Sequence, residues 1–223
     1  MVVLPAPLER IVEAAVRVAA SEGLAAVSMK RVATELGASP MALYRYVATK
    51  DELLTLMVDA AGGVPPAAAP GEDWRAGLTR WAWAYRTLLR RHLWILRIPI
   101  SGPPVTPNQV GWLEDGLVSL RETGLSKQEK LSAILLLSGY VRNEATLMAD
   151  IAAAAATAGT LTQQMMPGYG RLLAKLIDAE RFPALDHAVA SGAFDDDDDP
   201  DAEFVFGLER VLDGVEALVR ARA

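Results

Sequence analysis

The chain contains no cysteine. Disulfide scaffolds, thiolate zinc sites and cysteine nucleophiles are therefore excluded. Histidine is nearly as scarce, with only His92 and His187, which gives no basis for a histidine-rich metal centre. No glutamate is followed three residues later by histidine, so the Glu-x-x-His pairs of di-iron bundles are missing. A glycine-rich phosphate loop is absent as well. These gaps argue against an enzyme and imply no metal and no cofactor. Long apolar runs are also lacking. The most hydrophobic stretch, "LSAILLLSGYV" from Leu131 to Val141, is too short to span a membrane. The opening "MVVLPAPLER" has no basic start and breaks at Pro5 and Pro7, so no signal peptide is read. The expected compartment is the cytoplasm, with no membrane partner.

What the chain does have is a large stock of alanine and leucine within 223 residues that are 52% hydrophobic. Composition favours helix and a sizeable core, with one large domain or a small one plus a medium one. Overall the chain is acidic, at net charge −6, yet residues 1–50 carry six basic side chains against four acidic ones. A slightly basic head on an acidic body suggests that only the head meets a polyanion.

The pattern along the chain is helical throughout. Leu8, Ile11, Val12, Ala15, Val18 and Ala19 share one face of a first helix that Gly23 is placed to end. Ser28 reads as the N-cap of a short helix, "MKRVATEL", closed by Gly37. Ser39 followed by Pro40 opens a third helix running to about Tyr46. Thr49 and Glu52 form a capping box that opens a fourth, from Lys50 to about Ala60. The Pro/Gly/Ala segment "GGVPPAAAPGED", Gly62 to Asp73, then looks like a junction. The expected domains are residues 1–60 and 61–223.

Beyond the junction, Leu78, Trp81, Tyr85, Leu88 and His92 recur at helical spacing. A proline-rich break from Ile98 to Asn108 precedes a helix running to Gly124. Ser126 and Glu129 form a second capping box, opening a long helix to about Ala158. Gly159 and "MMPGYG" (Met165 to Gly170) interrupt the pattern, a helix follows to Arg181, and a short one runs from Pro183 to Ala190. The acidic loop "DDDDDPD" from Asp195 does not fit a calcium-binding EF-hand, because Pro200 and Phe206 stand where glycine and glutamate are required. In the last helix Phe204, Leu208, Val211, Val215 and Leu218 form a seam. It suits either a core helix or one packing across a subunit boundary.

One stretch asks for an explanation beyond packing: "GASPMALYRYVATKDEL", Gly37 to Leu53. Ala33 lies four residues before Gly37, where a small side chain lets two helices cross. Gly37 sits in the turn, where a left-handed backbone suits glycine. Val32, Leu36, Ala38 and Leu43 supply the apolar faces. This is helix-turn-helix spacing. In such a motif the second helix enters the major groove with its N-terminal residues at base edges. Those are Ser39, Pro40, Met41 and Ala42 here, and the apolar ones can meet thymine methyl groups. Arg45 can reach a guanine or a phosphate, and Tyr44 a phosphate or a sugar. Lys50 stands at a helix start, where its ammonium and the free N–H groups both favour a phosphate; Ser28 and Lys30 hold the same place on the second helix. Tyr46 is expected to pack beside Leu43.

In the body, Trp81, Tyr85, Trp112, Tyr140, Met148, Met165 and Met166 are large and adaptable. Asn108, Gln109, Asn143 and Glu144 are polar residues on apolar segments. Buried polar groups need partners, and a ligand can be one. Trp81, Tyr85, Trp112, Tyr140, Asn143 and Met166 are the candidate ligand contacts, with ordinary core packing as the alternative for each. His92, near a helix end, is expected at the surface or as a partner of the helix dipole.

The segment "MKRVATELGASPMALYRYVATKDEL" resembles the DNA-binding segment of TetR-family (tetracycline-repressor-type) transcriptional regulators. The matching features are Arg31-Val32-Ala33, Leu36-Gly37, Leu43-Tyr44, an aromatic at Tyr46, and Lys50 followed by Leu53. The family often has histidine where Tyr46 stands, and this chain has almost no basic arm before its first helix. The body resembles, more loosely, the ligand-binding domain of the tetracycline-repressor-like branch, most clearly in "FPALDHAVASGAFDDDDDPDAEFVFGLERVLDGVEALV". The resemblance implies an all-α fold: a three-helix helix-turn-helix DNA-binding domain and a helical ligand-binding and dimerisation domain. It implies a homodimer in which the Ser126–Ala158 helix and the last helix of each subunit form a four-helix bundle. Small residues at Ser138, Ala145, Ala149 and Ala152 would permit close approach there. Two heads roughly 34–36 Å apart would read a palindromic operator on double-stranded DNA. A small-molecule effector would then release a repressor by changing the separation of the heads, with the Ile98–Pro107 connection helping to transmit the change. Transcriptional activation, and an adaptor whose helix-turn-helix no longer reads DNA, remain open alternatives.

Overall fold

The computed structural model describes residues 6–100, 102–159, 165–194 and 199–222, with no side-chain account of residues 6 and 165–167. Those residues form helices joined by turns, with no strand among them. In order they are α1 (Ala6–Glu22), α2 (Met29–Glu35), α3 (Pro40–Leu43), α4 (Lys50–Gly62), α5 (Trp74–Arg91), α6 (Pro107–Ser119), α7 (Lys127–Ala158), α8 (Met165–Leu176), α9 (Pro183–Ala190) and α10 (Ala202–Arg222). Short 3₁₀ turns at Leu24–Ala26 and Leu93–Arg97 were not legible in the sequence.

The head is built around α1. Its predicted stripe is the buried one: Ile11, Val12, Ala15, Val18 and Ala19 all face the core. α2 and α4 pack against it, and α3 against α2. Val32, Leu43, Leu53 and Met57 are almost fully buried. At about 1.5–3 kcal/mol for each fully buried large apolar side chain, this small cluster holds the short helices in place. The apolar core then continues into the body without a break. There α5 packs on both α6 and α7, and α10 lies along α7. α7 and α10 run antiparallel, since Tyr140 meets Phe204 and Glu129 meets Arg222.

Several boundaries differ from expectation. Regular helix in α3 ends at Leu43, with Tyr44 to Tyr46 continuing as a turn. α6 stops at Ser119 rather than Gly124, where turns take over. "MMPGYG" does not interrupt a helix but begins α8, with Pro167 in the first turn, where its missing N–H leaves no helix bond unmade. α8 then ends at Leu176, short of the expected Arg181. Asp195 to Asp198 of the acidic run lie outside the described residues.

Candidate nucleic-acid interface and effector site

The helix-turn-helix is fixed by backbone bonding that its sequence anticipates. The Ser28 hydroxyl accepts from Arg31 N–H at 3.1 Å and caps α2. Gly37 adopts φ +63°. Around it Gly37 N–H donates to Thr34 O at 3.1 Å and Ala38 N–H to Ala33 O at 2.9 Å. That pair of bonds is a Schellman turn, and it needs the left-handed residue at Gly37. The Ser39 hydroxyl accepts from Ala42 N–H at 3.3 Å and opens α3. Thr49 caps α4 by accepting from Glu52 N–H at 3.1 Å, but the Glu52 carboxylate reaches back to Ala48 N–H at 2.6 Å. The reciprocal bond of the box has thus slipped one residue outward.

This scaffold presents one face to solvent. Ser28, Lys30, Ser39, Met41, Tyr44, Arg45 and Lys50 are exposed and Pro40 is half-buried. Two expectations fail here. Tyr46 is exposed, at 41%, instead of packing beside Leu43. The helical repeat stops at Leu43, so Val47 turns into the core in its place and is fully buried. Ala38 is also exposed; its role is the backbone bond to Ala33 rather than an apolar contact.

The four basic residues from α2 to the start of α4 divide into two groups. Arg31 is bound within the head: it pairs with Glu22 at 2.5 Å and Glu35 at 3.0 Å. Those hydrogen bonds raise its already high pKa and lower that of Glu22. Lys30, Arg45 and Lys50 make no ion pair among the described residues. Their charge is therefore available to an external anion, whereas that of Arg31 is not.

In the body, Trp81, Tyr85 and Trp112 come together. The Trp81 ring lies 5.1 Å from Tyr85 and 5.8 Å from Trp112. Trp81 is 3% exposed, and its indole N–H donates to Trp112 O at 2.8 Å. Trp81 is thus saturated by its own chain, while Tyr85 and Trp112 are half-buried. Tyr140 and Asn143 were expected to project together into a cavity, and they do not. The Tyr140 hydroxyl donates to Phe204 O at 2.8 Å, and its ring stacks on Phe204. Asn143 is exposed on the outer face of α7. Met166 lies in the first turn of α8, and its side chain is outside the described residues. A groove of about 440 Å³ runs beside the end of α4, lined by Gly62, Pro66, Trp83, Leu88, His92 and Trp112 among others. Of the six candidate ligand contacts, only Trp112 borders it. His92 sits at the end of α5, half-buried, and burial together with the Arg91 charge lowers its pKa. A neutral imidazole gives the helix dipole little, so the expected dipole role does not fit.

Two functional-looking arrangements escaped the sequence reading. The first joins head to body. The Asp59 carboxylate, on the last turn of α4, accepts from Asn108 N–H at 2.9 Å and Gln109 N–H at 3.1 Å. It caps the N-terminus of α6, where Thr106 stands in the cap position but makes no side-chain cap bond. The Asn108 amide returns a bond to Asp59 O at 2.9 Å, and Trp112 Nε1 donates to Gly62 O at 3.1 Å. Asn108 thus finds its partner within the chain. The clue was a carboxylate near the C-terminus of α4, where the dipole disfavours it unless another helix start is near.

The second is a buried ion network. Arg86, 2% exposed, pairs with Glu144 at 2.9 Å and Asp201 at 2.5 Å, tying α5 to α7 and to the start of α10. Its guanidinium lies 4.3 Å from the Phe204 ring centre. Burial opposes the charge, yet the bonds to Glu144 and Asp201 prevail and raise the Arg86 pKa. An arginine in the apolar stripe of α5, between Ala82 and Leu89, was the available signal.

Residues 11–57 match the family described as bacterial regulatory proteins, tetR family, and residues 66–219 match the tetracyclin repressor-like C-terminal domain. The chain belongs to the TetR family. It is a transcriptional regulator of that family, whose members are DNA-binding regulators and not enzymes. It is 38% identical over 217 residues to the HTH-type transcriptional repressor DrrR1 of Streptomyces coeruleorubidus, covering 96% of this chain and 79% of DrrR1. The TetR-family protein ActR of Streptomyces coelicolor, in complex with actinorhodin, superimposes with a TM-score of 0.78 at 29% identity, covering 97% of this chain and 99% of ActR. BioQ, solved with its double-stranded DNA operator, aligns with a TM-score of 0.53 at 25% identity over 63% of this chain and 87% of BioQ.

Proposed function

We propose that this TetR-family regulator is a homodimeric repressor that binds a palindromic operator and leaves it when a small molecule binds the body. Residues 1–60 would read DNA and residues 61–223 would hold the effector and the partner subunit. The observation that carries the DNA reading is the unpaired state of Lys30, Arg45 and Lys50 beside exposed Tyr44 and Met41. Solvated cations at two helix starts and in the turn after α3 are what phosphate contact requires. The 38% identity to a repressor favours repression over activation. Effector control is supported by ActR, which holds actinorhodin, and by the half-buried rings of Tyr85 and Trp112. Such rings favour a ring-bearing effector. The Asp59–α6 cap and the Trp112–Gly62 bond would carry the signal, because both join α4 of the head to α6 of the body. Among the described residues no helix is long and apolar enough to cross a membrane, in keeping with a cytoplasmic regulator.

Selection of bound fragments from random duplex DNA tests this reading. Wild type should enrich one palindrome, with affinity that falls as salt rises. Tyr44→Ala combined with Lys50→Ala should lose it while keeping its helix content. Absence of enrichment by folded wild-type dimer would refute the DNA reading.

A further inference from the structure

We propose that Arg80 is the positioning residue that holds the α4–α5 connection in register on α6 and so fixes the separation of the two DNA-reading heads; this rests on the homodimer reading above. The connection, residues 63–73, has little of its own to hold its shape. Pro65, Pro66 and Pro70 have no N–H to donate. Among the described residues its one internal backbone bond is Glu72 N–H to Ala69 O at 3.2 Å. The prolines do make it stiff, so a shift at one end is passed along it rather than absorbed. Its anchor comes from outside. Arg80, on α5, donates to Pro66 O at 2.7 Å and to the two Glu72 carboxylate oxygens at 3.1 and 3.0 Å. The same guanidinium donates to Asp115, on α6, at 2.9 and 3.3 Å. One side chain thus ties the connection, α5 and α6 together.

The placement of these bonds gives them a role beyond local packing. Asn108, Trp112 and Asp115 stand at 4,3 spacing on one stripe of α6. In chain order they hold Asp59 and Gly62 directly, and Pro66 through Arg80. The path out of α4 is therefore laid along α6 at three successive points. The first two fix where α4 ends, and the third fixes the direction in which the chain leaves for α5. The side chains of Arg80, Glu72 and Asp115 are mostly buried, so their charges are poorly screened. Burial opposes the Arg80 charge, yet the bonds to Asp115 and Glu72 prevail and raise its pKa. With the guanidinium removed, the carboxylates of Glu72 and Asp115 lose their shared cation and repel one another. That repulsion drives the connection away from α6, and the head with it.

Operator spacing is the readout that a merely structural role does not move. The selected palindrome would be compared, by fluorescence anisotropy, with duplexes carrying the same half-sites two base pairs closer or further apart. That change turns one half-site by roughly 70° and shifts it by about 7 Å. Circular dichroism and sedimentation velocity would establish that each protein is a folded dimer. Wild type binds the selected spacing at least 10-fold tighter than either altered one. In Arg80→Met this preference shrinks at least threefold, through weaker binding of the selected operator. Arg80→Lys keeps the charge, but one ammonium cannot span three partners, so it restores only part of the preference. Glu72→Ala leaves the Arg80–Asp115 pair in place and frees the connection alone. It shrinks the preference in the same direction and keeps the test decisive should Arg80→Met lose helix. Lost stability by itself weakens binding to all three duplexes alike and leaves the preference intact. An unchanged preference in folded Arg80→Met and Glu72→Ala, or a wild-type dimer indifferent to spacing, overturns this proposal alone. A wild type that binds a lone half-site as tightly as the palindrome overturns the homodimer reading with it.

Discussion

Asp59 shows how much one carboxylate decides in this molecule. It sits at the unfavourable end of α4, yet it satisfies two first-turn N–H groups of α6. Asp59→Ala is expected to cost about 1–2 kcal/mol in urea unfolding, as for loss of a helix cap. Glu114→Ala, exposed on α6, should stay within about 0.5 kcal/mol. Arg86 is the second such residue. Arg86→Met leaves Glu144 buried and unpaired, and a loss of about 3–5 kcal/mol is expected. Adding Glu144→Leu should restore most of it, since a buried pair replaced by apolar groups is often neutral. A double variant no more stable than Arg86→Met would show that the network is not the cause. These two residues also mark where sequence reading stopped. Ser28, Gly37, Ser39 and Ser126 were legible because caps and left-handed turns act on neighbours a few residues away. Asp59 and Arg86 act on partners 49 and 58 residues away, and no local pattern names such a partner.

Helix starts and stops account for most of the element-level agreement. The Ser126–Glu129 box at the start of α7 is present in both directions, with Glu129 accepting from Ser126 N–H at 2.7 Å. Arg222, from the end of α10, holds the same carboxylate at 2.8 Å. The Arg222 bond, then the Ser126 bonds, lower the Glu129 pKa from its ordinary 4.5 to about 2. A depressed carboxylate stabilises the fold above its ordinary pKa and loses that contribution as pH falls through the folded value. Glu129→Gln should therefore flatten the fall in Tm between pH 4.5 and 2. A slope identical to wild type would mean that this contact contributes nothing to acid stability. Gly37 belongs to the same scale: Gly37→Ala forces a Cβ into φ +63° and should lower stability by about 1–2 kcal/mol. The ends of α3 and α6 were misjudged because a turn can follow a helix with no proline or glycine to mark it. That misjudgement put Tyr46 in the core and left Val47 unnoticed. Amphipathic spacing likewise could not tell an outer face of α7 from one that lines a cavity, so Asn143 was read toward a cavity.

For the molecule as a whole, an acidic body carries a head in which Lys30, Arg45 and Lys50 are exposed and make no ion pair among the described residues, joined to the body through α4 and α6. The central claim is that these cations bind DNA phosphates from two heads at once. It is tested most directly by the salt dependence of affinity for the selected operator, measured by fluorescence anisotropy for wild type and Lys50→Ala. Each phosphate contact contributes about 0.9 to the slope of log affinity against log salt. One Lys50 in each of two heads predicts a slope smaller by about 2 in the variant, with both proteins folded and dimeric. An unchanged slope would contradict the account, because Lys50 would then face no phosphate.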